Sequence, residues 1–366
     1  MKFLYVTTVG LTMIFFKDLV KELVDGGNTV DIACNENDYK VDEFYHKLGC
    51  KVYHIDCSRS PLSIGNIKAV KQLNKIVSEN NYDIVHCHTP IAGACTRIAC
   101  KGFRKCGLKV FYTAHGFHFY NGAPIVNWLI YYPIEKYCSR FTDTLITINK
   151  EDCSIAKRKF RAKRVEYVPG VGIDFDRFKN TDVDRVQKRK ELGIPVDAFL
   201  IISVGELNKN KNHQIIIRAL ARINNPNIHY MIAGAGDYAE FLENLSKELG
   251  VENQVHILGY CNDVAQLYKT ADINAFPSIR EGLGLAALEG MAAGLPLICL
   301  DNRGTKGYAV NNVNSFIING EDDCVSAINK LKDKDIRNSL GAAGMETAKN
   351  FDVGIIIKRM TEIYFG

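Results

Sequence analysis

The chain of 366 residues reads as two doubly wound α/β domains, each built on a parallel sheet. Three observations predict this. The length exceeds what a single hydrophobic core usually serves. Short, nearly continuous apolar runs alternate with amphipathic helical patterns, as expected of parallel strands covered on both faces. The alternation also restarts after about residue 195, beyond a Pro- and Gly-bearing stretch, VPGVGIDFDRFKN (168–180), that can serve as a hinge. A hydrophobic fraction of 47% and a charged fraction of 24% are those of an ordinary soluble globular chain.

In order, KFLYVTT predicts a strand, and IFFKDLVKELVDGG an amphipathic helix ended by glycine. TVDIAC and KVYHID are strands, and IGNIKAVKQLNKIVSEN is a helix. DIVHCH and KVFYTAH are strands separated by a helical stretch. In the second half FLIISVGE, HYMIAGAG, QVHILGY, INAFPS and LPLICLD are strands, while NHQIIIRALARIN and YAEFLENLSKELG are helices. The expected product is a pair of Rossmann-like domains facing each other across a cleft, with ligand bound beyond the carboxyl ends of the strands.

Several function classes drop out. MKFLYVTTVGLTMIFFK imitates a signal peptide, but it lacks a small-x-small cleavage site and is too short to span a bilayer. The twelve scattered cysteines contain no CxxC pair, which predicts reduced thiols in the cytoplasm. His86 and His88 of HCH would share one strand face, but no further ligand cluster accompanies them, so no metal is expected. GAGDYA (234–239) is only a GxG, which disfavours a dehydrogenase, and the absence of GxxxxGK[ST] disfavours a P-loop NTPase. The net charge of +5 divides into +8 over residues 1–180 and −3 over the rest. Its densest run is KRKFRAKR (157–164), either a solvated helix face or a patch for an anionic lipid surface. No nucleic-acid fold signature accompanies it.

One segment carries the chemistry: REGLGLAALEGMAAGLPLI (280–298). It follows the strand INAFPS and is apolar on nearly every side, which predicts a buried helix whose free N–H groups form an anion site. Gly282 and Gly284 would let a phosphate approach the backbone closely. Ser278 and Glu281 fit an S-x-x-E capping box, and capping alone would account for Glu281. It would not account for Glu289, deep in the apolar helix, because a buried carboxylate needs partners. One acid toward a sugar, one toward a ribose, and N–H groups between them on phosphate would describe a nucleotide sugar. A glycosidase pair fits poorly, since these acids would not flank one bond.

EGLGLAALE resembles the E-x7-E motif of the retaining GT-B glycosyltransferases of glycosyltransferase family 4. SVGELNKNKN (203–212), DIVHCHTP (83–90), YTAHGFHF (112–119) and VPGVGIDFDRF (168–178) agree with that resemblance, which covers essentially the whole chain. It is most similar to the bacterial branch that builds capsular, exo- or O-antigen polysaccharides. The resemblance implies an acceptor-binding domain over 1–176, a nucleotide-sugar-binding domain over 177–352, and a C-terminal helix, 353–366, that returns to the first domain.

It implies roles as well. Glu281 would contact the hydroxyls of the transferred sugar, and Glu289 the ribose. Gly282, Leu283 and Gly284 would offer N–H groups to the diphosphate or sugar, with Ser278 at the donor site. Lys211 would neutralise the diphosphate, and His115 would lie near the donor sugar. Gly10 would lie in a loop near phosphate and acceptor. The implied reaction retains anomeric configuration and uses no nucleophilic residue, cofactor or metal. A UDP-sugar is favoured as donor and an undecaprenyl-diphosphate-linked saccharide as acceptor, with the protein in the cytoplasm or peripheral on the cytoplasmic membrane face.

Two departures stand out. Glu206 occupies a position where relatives carry arginine, and Gly307 occupies one where they carry glutamate. Lys209, Arg303 or Lys306 would then supply the missing charge. The departures leave open a non-catalytic nucleotide-sugar-binding subunit. A sugar-nucleotide epimerase fits E-x7-E and the lysine loop less well.

Overall fold

A computed structural model describes residues 1–61, 63–120 and 122–366. The chain forms two compact units, residues 1–171 with 356–366 and residues 172–355.

The first unit carries a seven-stranded, wholly parallel sheet of order β3-β2-β1-β4-β5-β6-β7. Its strands are β1 Lys2–Val9, β2 Thr29–Asn35, β3 Val52–His54, β4 Ile84–His88, β5 Lys109–Ala114, β6 Thr144–Thr147 and β7 Arg164–Tyr167. The order runs outward from β1 in both directions, so a topological switch point lies between β1 and β4. Strands β1, β4 and β5 are buried almost throughout, because apolar layers cover both faces of the sheet. The opening residues fold as a central strand. The following segment is tighter than the sequence predicts: Gly10–Phe16 is a 3-10 turn, and the α-helix begins only at Lys17.

The helix Val353–Phe365 contributes Ile356, Met360, Ile363 and Tyr364 to the core layer that holds Phe3 and Tyr5 of β1. The basic run 157–164 is not one helix face. Only Lys157–Lys159 is helical, and the rest is loop and the start of β7, because the chain must leave the helix Lys150–Lys159 to enter the sheet.

The second unit carries a six-stranded parallel sheet of order β10-β9-β8-β11-β12-β13. These strands are β8 Phe199–Val204, β9 Ile228–Ala233, β10 Val255–Ile257, β11 Ile273–Phe276, β12 Leu297–Leu300 and β13 Ser315–Ile318. The switch point here lies between β8 and β11. The stretch expected as a hinge is partly helical: Phe175–Asn180 forms a short helix capped by the Asp174 carboxylate. Asp184 caps the next helix in the same way, its carboxylate accepting from the N–H groups of Val186 and Gln187. Among the described residues, no helix is long and apolar enough to cross a membrane.

Candidate functional site

In the second unit the chain leaves the switch-point strands β8 and β11 in two loops, and these loops are tied together. After β8, Asn208 caps the short turn Lys209–Lys211, its side chain accepting from the Lys211 N–H at 3.0 Å. Asn210 then reaches the loop after β11 through three bonds. Its side-chain amide donates to the Arg280 carbonyl (2.9 Å), its side-chain oxygen accepts from the Arg280 N–H (3.1 Å), and its backbone carbonyl accepts from the Ile279 N–H (2.8 Å). The result places Lys211 Nζ 2.7 Å from Glu281 Oε1, a charge-assisted contact between two half-buried side chains. The same ammonium lies 5.2 Å from the Phe276 ring centroid.

The capping box does not form. The helix is Leu285–Ala292, its first flanking residue is Gly284, and no side chain caps it. Gly284 has φ +88°, a left-handed conformation that ends any helical path from Ser278. A Cβ there would lie 2.7 Å from the Phe276 ring, so the position is also closed to side chains. Ser278 is instead buried, its backbone carbonyl accepting from Asn302 Nδ2 (2.8 Å), and its hydroxyl has no partner among the described residues. Glu281 is therefore free of capping duty and lies in the loop.

The backbone N–H groups of residues 281–284 find no acceptor among the described residues, so donors stand open at the head of the helix. Leu283 is buried, its carbonyl accepting from the Tyr308 hydroxyl at 3.0 Å.

Glu289 is the fifth residue of this helix, one turn in. Burial pushes its carboxyl up to about 7 from an ordinary 4.5, opposed by the Arg177 charge and the Tyr268 hydroxyl. A carboxyl held at that point can be ionised by any ligand that donates hydrogen bonds to it. Arg303 is half-buried in the turn after β12, where Asn302 accepts from the N–H groups of Gly304 and Thr305. Of the other candidate cations, Lys306 is exposed beside Asp301 (3.5 Å) and Lys209 is exposed. Glu206 accepts from Asn208 Nδ2 at 2.9 Å, and a Cβ on Gly307 would meet open space.

His115 and Gly10 belong to the first unit. Gly10 is buried against the 39–41 backbone, where a Cβ would lie 2.4 Å from the Tyr39 carbonyl oxygen, so close packing alone demands glycine there. His115 follows β5, and its Nε2 lies 3.1 Å from Nδ1 of His88. The two histidines of HCH do share a strand face, with ring centroids 4.2 Å apart. His86 continues a polar ladder: its Nε2 meets Thr113 Oγ1 (2.8 Å), its Nδ1 meets the Tyr364 hydroxyl (2.5 Å), and that hydroxyl meets Tyr5 (2.6 Å). Burial lowers His115 to about 4 and His86 to about 3, and it takes His88 well below its ordinary value, so all three rings are neutral near pH 7. Among the described residues no group of His, Cys, Asp and Glu is placed to hold a metal.

Sequence reasoning missed Asn210, Asn302, Tyr268, Arg177 and the contact of His88 with His115. The run of asparagines in ELNKNKN was the available signal for the first of these. It also missed a cavity in the first unit lined by Thr8, Thr12, Arg59, Thr89, His118 and Tyr131. There Thr89 adopts φ +66°, a costly conformation for a β-branched residue, with its hydroxyl 2.6 Å from that of Thr8.

Two parallel Rossmann-like sheets, one with a lysine–glutamate pair set before an uncapped helix, define a glycosyltransferase of the GT-B class. The chain belongs to the group 1 glycosyltransferase family: residues 184–347 match the family model Glycosyl transferases group 1, and residues 2–149 match Glycosyl transferase 4-like. It is 39% identical over 319 residues to EpsD of Bacillus subtilis, assigned as a glycosyltransferase, covering 85% of this chain and 84% of that one. It is 29% identical to the UDP-Gal:alpha-D-GlcNAc-diphosphoundecaprenol alpha-1,3-galactosyltransferase of Escherichia coli, over 75% of this chain and 73% of the other. Among solved structures, Anabaena Alr3699/HepE in complex with UDP and glucose superposes with a TM-score of 0.82 at 21% identity, covering 100% of this chain and 99% of that one. WaaG, a glycosyltransferase involved in lipopolysaccharide biosynthesis, superposes with a TM-score of 0.77 at 18% identity, covering all of both chains. The protein is thus an enzyme that transfers a sugar from a nucleotide sugar.

Proposed function

We propose that the chain moves a hexosyl or N-acetylhexosaminyl unit from a UDP-sugar to a lipid-linked saccharide, with retention of anomeric configuration, in cell-surface polysaccharide synthesis of the capsule or exopolysaccharide kind. The observation that carries this reading is the Lys211–Glu281 pair beside the open N–H groups of residues 281–284, with Glu289 one helical turn on.

In this reading the donor diphosphate competes with Glu281 for Lys211. The freed carboxylate accepts from the sugar hydroxyls, Glu289 accepts from the ribose, and the Gly282, Leu283 and Gly284 N–H groups meet the phosphates. Ser278 and Arg303 border the same loop. His115, steadied by His88, donates to or accepts from the sugar. When the anomeric C–O bond breaks, its electron pair leaves with the nucleoside diphosphate, whose charge Lys211 and the N–H groups stabilise. The acceptor oxygen forms the new bond on the same face, and its O–H bond breaks with the proton passing to the departing diphosphate. No metal or protein nucleophile takes part.

The acceptor is an undecaprenyl-diphosphate-linked saccharide approached from the cytoplasmic membrane face. The E. coli galactosyltransferase relative, named for such an acceptor, and the exposed basic run 157–164 support this.

A thermal-shift screen of nucleotide sugars tests the donor, since a ligand at 100 times its Kd stabilises by about 2.7 kcal/mol. Product NMR with the stabilising donor and a lipid-linked acceptor then reads the anomeric outcome. An inverted product refutes retention, and donor binding without turnover on any acceptor favours a non-catalytic subunit. Separate alanine substitutions of Lys209, Arg303 and Lys306 test the missing cation. A raised donor KM is expected in at least one, and an unchanged KM in all three refutes compensation.

A further inference from the structure

The helix Ile125–Cys138 in the first unit is built inside out. Its only carboxylate, Glu135, points inward and is 4% exposed. There it pairs with buried Arg97 at 2.9 Å and accepts from the Tyr112 hydroxyl at 2.8 Å, while the Arg97 guanidinium stacks 3.9 Å over the Tyr112 ring. Trp128 and Tyr132 fill the rest of the inner face, in contact with Phe119.

The outer face is apolar apart from Lys136, which lies near its C-terminal end. Ile125, Val126, Leu129, Ile130, Ile134 and Tyr137 are all exposed, Ile125 to 75% and Leu129 to 70%. At 100° per residue these six fall within one half of the helix circumference. A solvent-facing stripe of that length marks an interaction surface.

Its surroundings select the occupant. The stripe ends among cations. Lys136 is exposed on the helix itself, and Arg140 lies 5.9 Å over the Tyr137 ring. The Arg161 N–H donates to Ser139 Oγ at 2.9 Å, which brings the basic run 157–164 to the end of this helix. Arg104 donates to the Arg140 carbonyl at 3.1 Å. The nearby carboxylate of Asp143 is already held by Arg104 (2.7 Å) and Lys163 (2.8 Å). An apolar helix face bordered by lysine and arginine is complementary to an anionic lipid surface, with side chains entering the acyl boundary and cations at the headgroups.

We infer that the outer face of the helix Ile125–Cys138, together with the cations at its C-terminal end, docks the protein flat onto an anionic bilayer. This rests on the membrane-face reading above and names the surface that serves it. The helix is held to the fold by its buried Glu135–Arg97 pair, so the apolar residues are presented by a rigid element.

Flotation of the full chain with vesicles tests it, using phosphatidylcholine alone or mixed with phosphatidylglycerol. Wild type is expected to float with the mixed vesicles, less so in high salt. The double variant Ile125→Asp, Leu129→Asp should lose about tenfold or more in partitioning, because two aliphatic side chains are withdrawn from the bilayer. Its thermal midpoint should stay unchanged, because both positions are exposed. Leu129→Gln should lose less, and Arg140→Ala with Arg161→Ala should weaken binding to mixed vesicles.

Undiminished flotation of the double variant overturns the proposal. If only the basic-run substitutions abolish flotation, the membrane reading stands and this face falls. If wild type floats with neither vesicle, both fall. If wild type is a lipid-independent dimer that the double variant converts to monomer, the face is a subunit interface and the proposal is overturned.

Discussion

Replacing Glu289 by Gln should make the unliganded protein more stable at alkaline pH while weakening nucleotide binding. Burial holds this carboxyl at about 7, whereas in the unfolded chain it titrates near 4.5. Between those values the folded state keeps a proton that the unfolded state releases. The stability from the protonated side chain is complete below about pH 4.5 and is lost as pH rises through 7. Moving the carboxyl from 4.5 to about 7 corresponds to about 3 kcal/mol. Glutamine cannot ionise, so its stability relative to wild type should grow between about pH 5 and pH 8 by up to that amount. For a unit of this size that is roughly 6–12 °C in thermal midpoint.

The assay is a thermal midpoint series over that pH range, with and without UDP. Ribose hydroxyls would favour the ionised carboxylate, so wild type should release protons on binding UDP near pH 7. This is measurable by calorimetry in buffers of different ionisation heat, and Glu289→Gln should release none. A wild-type-to-variant difference that is flat with pH would refute the burial argument. Unaltered UDP affinity in the variant would refute the ribose contact.

The other predictions concern different links. Glu281→Gln should depress kcat more than it raises donor KM, and equal loss in stability without loss of turnover would return Glu281 to a structural role. Glu135→Ala leaves the Arg97 cation buried without its partner and should cost about 3–5 kcal/mol in chemical denaturation. Replacing both partners with apolar side chains, Glu135→Leu together with Arg97→Met, should recover most of that loss. Gly290→Ala should cost about 1–3 kcal/mol, because a Cβ there would lie 2.1 Å from the buried Asn274 amide. An unchanged denaturation midpoint would contradict that packing.

Strand-helix alternation carried most of the architecture, because strands such as FLIISV and IHYMIA are buried along their length and look it. The helix start before Glu289 was misread for a physical reason. S-x-x-E is satisfied by spacing alone, whereas the true start depends on Gly284 packing against Phe276 and Tyr308, contacts made by tertiary folding. The presence of Glu289 in an apolar segment was visible in the sequence. Its neighbours Tyr268 and Arg177 come from elements distant in sequence and were not. The inverted helix Ile125–Cys138 escaped notice because a segment apolar on nearly all sides reads as buried, and only the placement of Glu135 shows which side faces inward.

The three hydrogen bonds of Asn210 have a consequence for exchanging parts between relatives. Because that one side chain and its carbonyl hold the segment at 279–280, residues 208–212 and 278–284 form a single inheritable cassette although 70 positions separate the bonded residues along the chain. A chimera that imports the glutamate-bearing loop alone would arrive without its anchor. Donor preference should therefore move between family members only when both segments travel together.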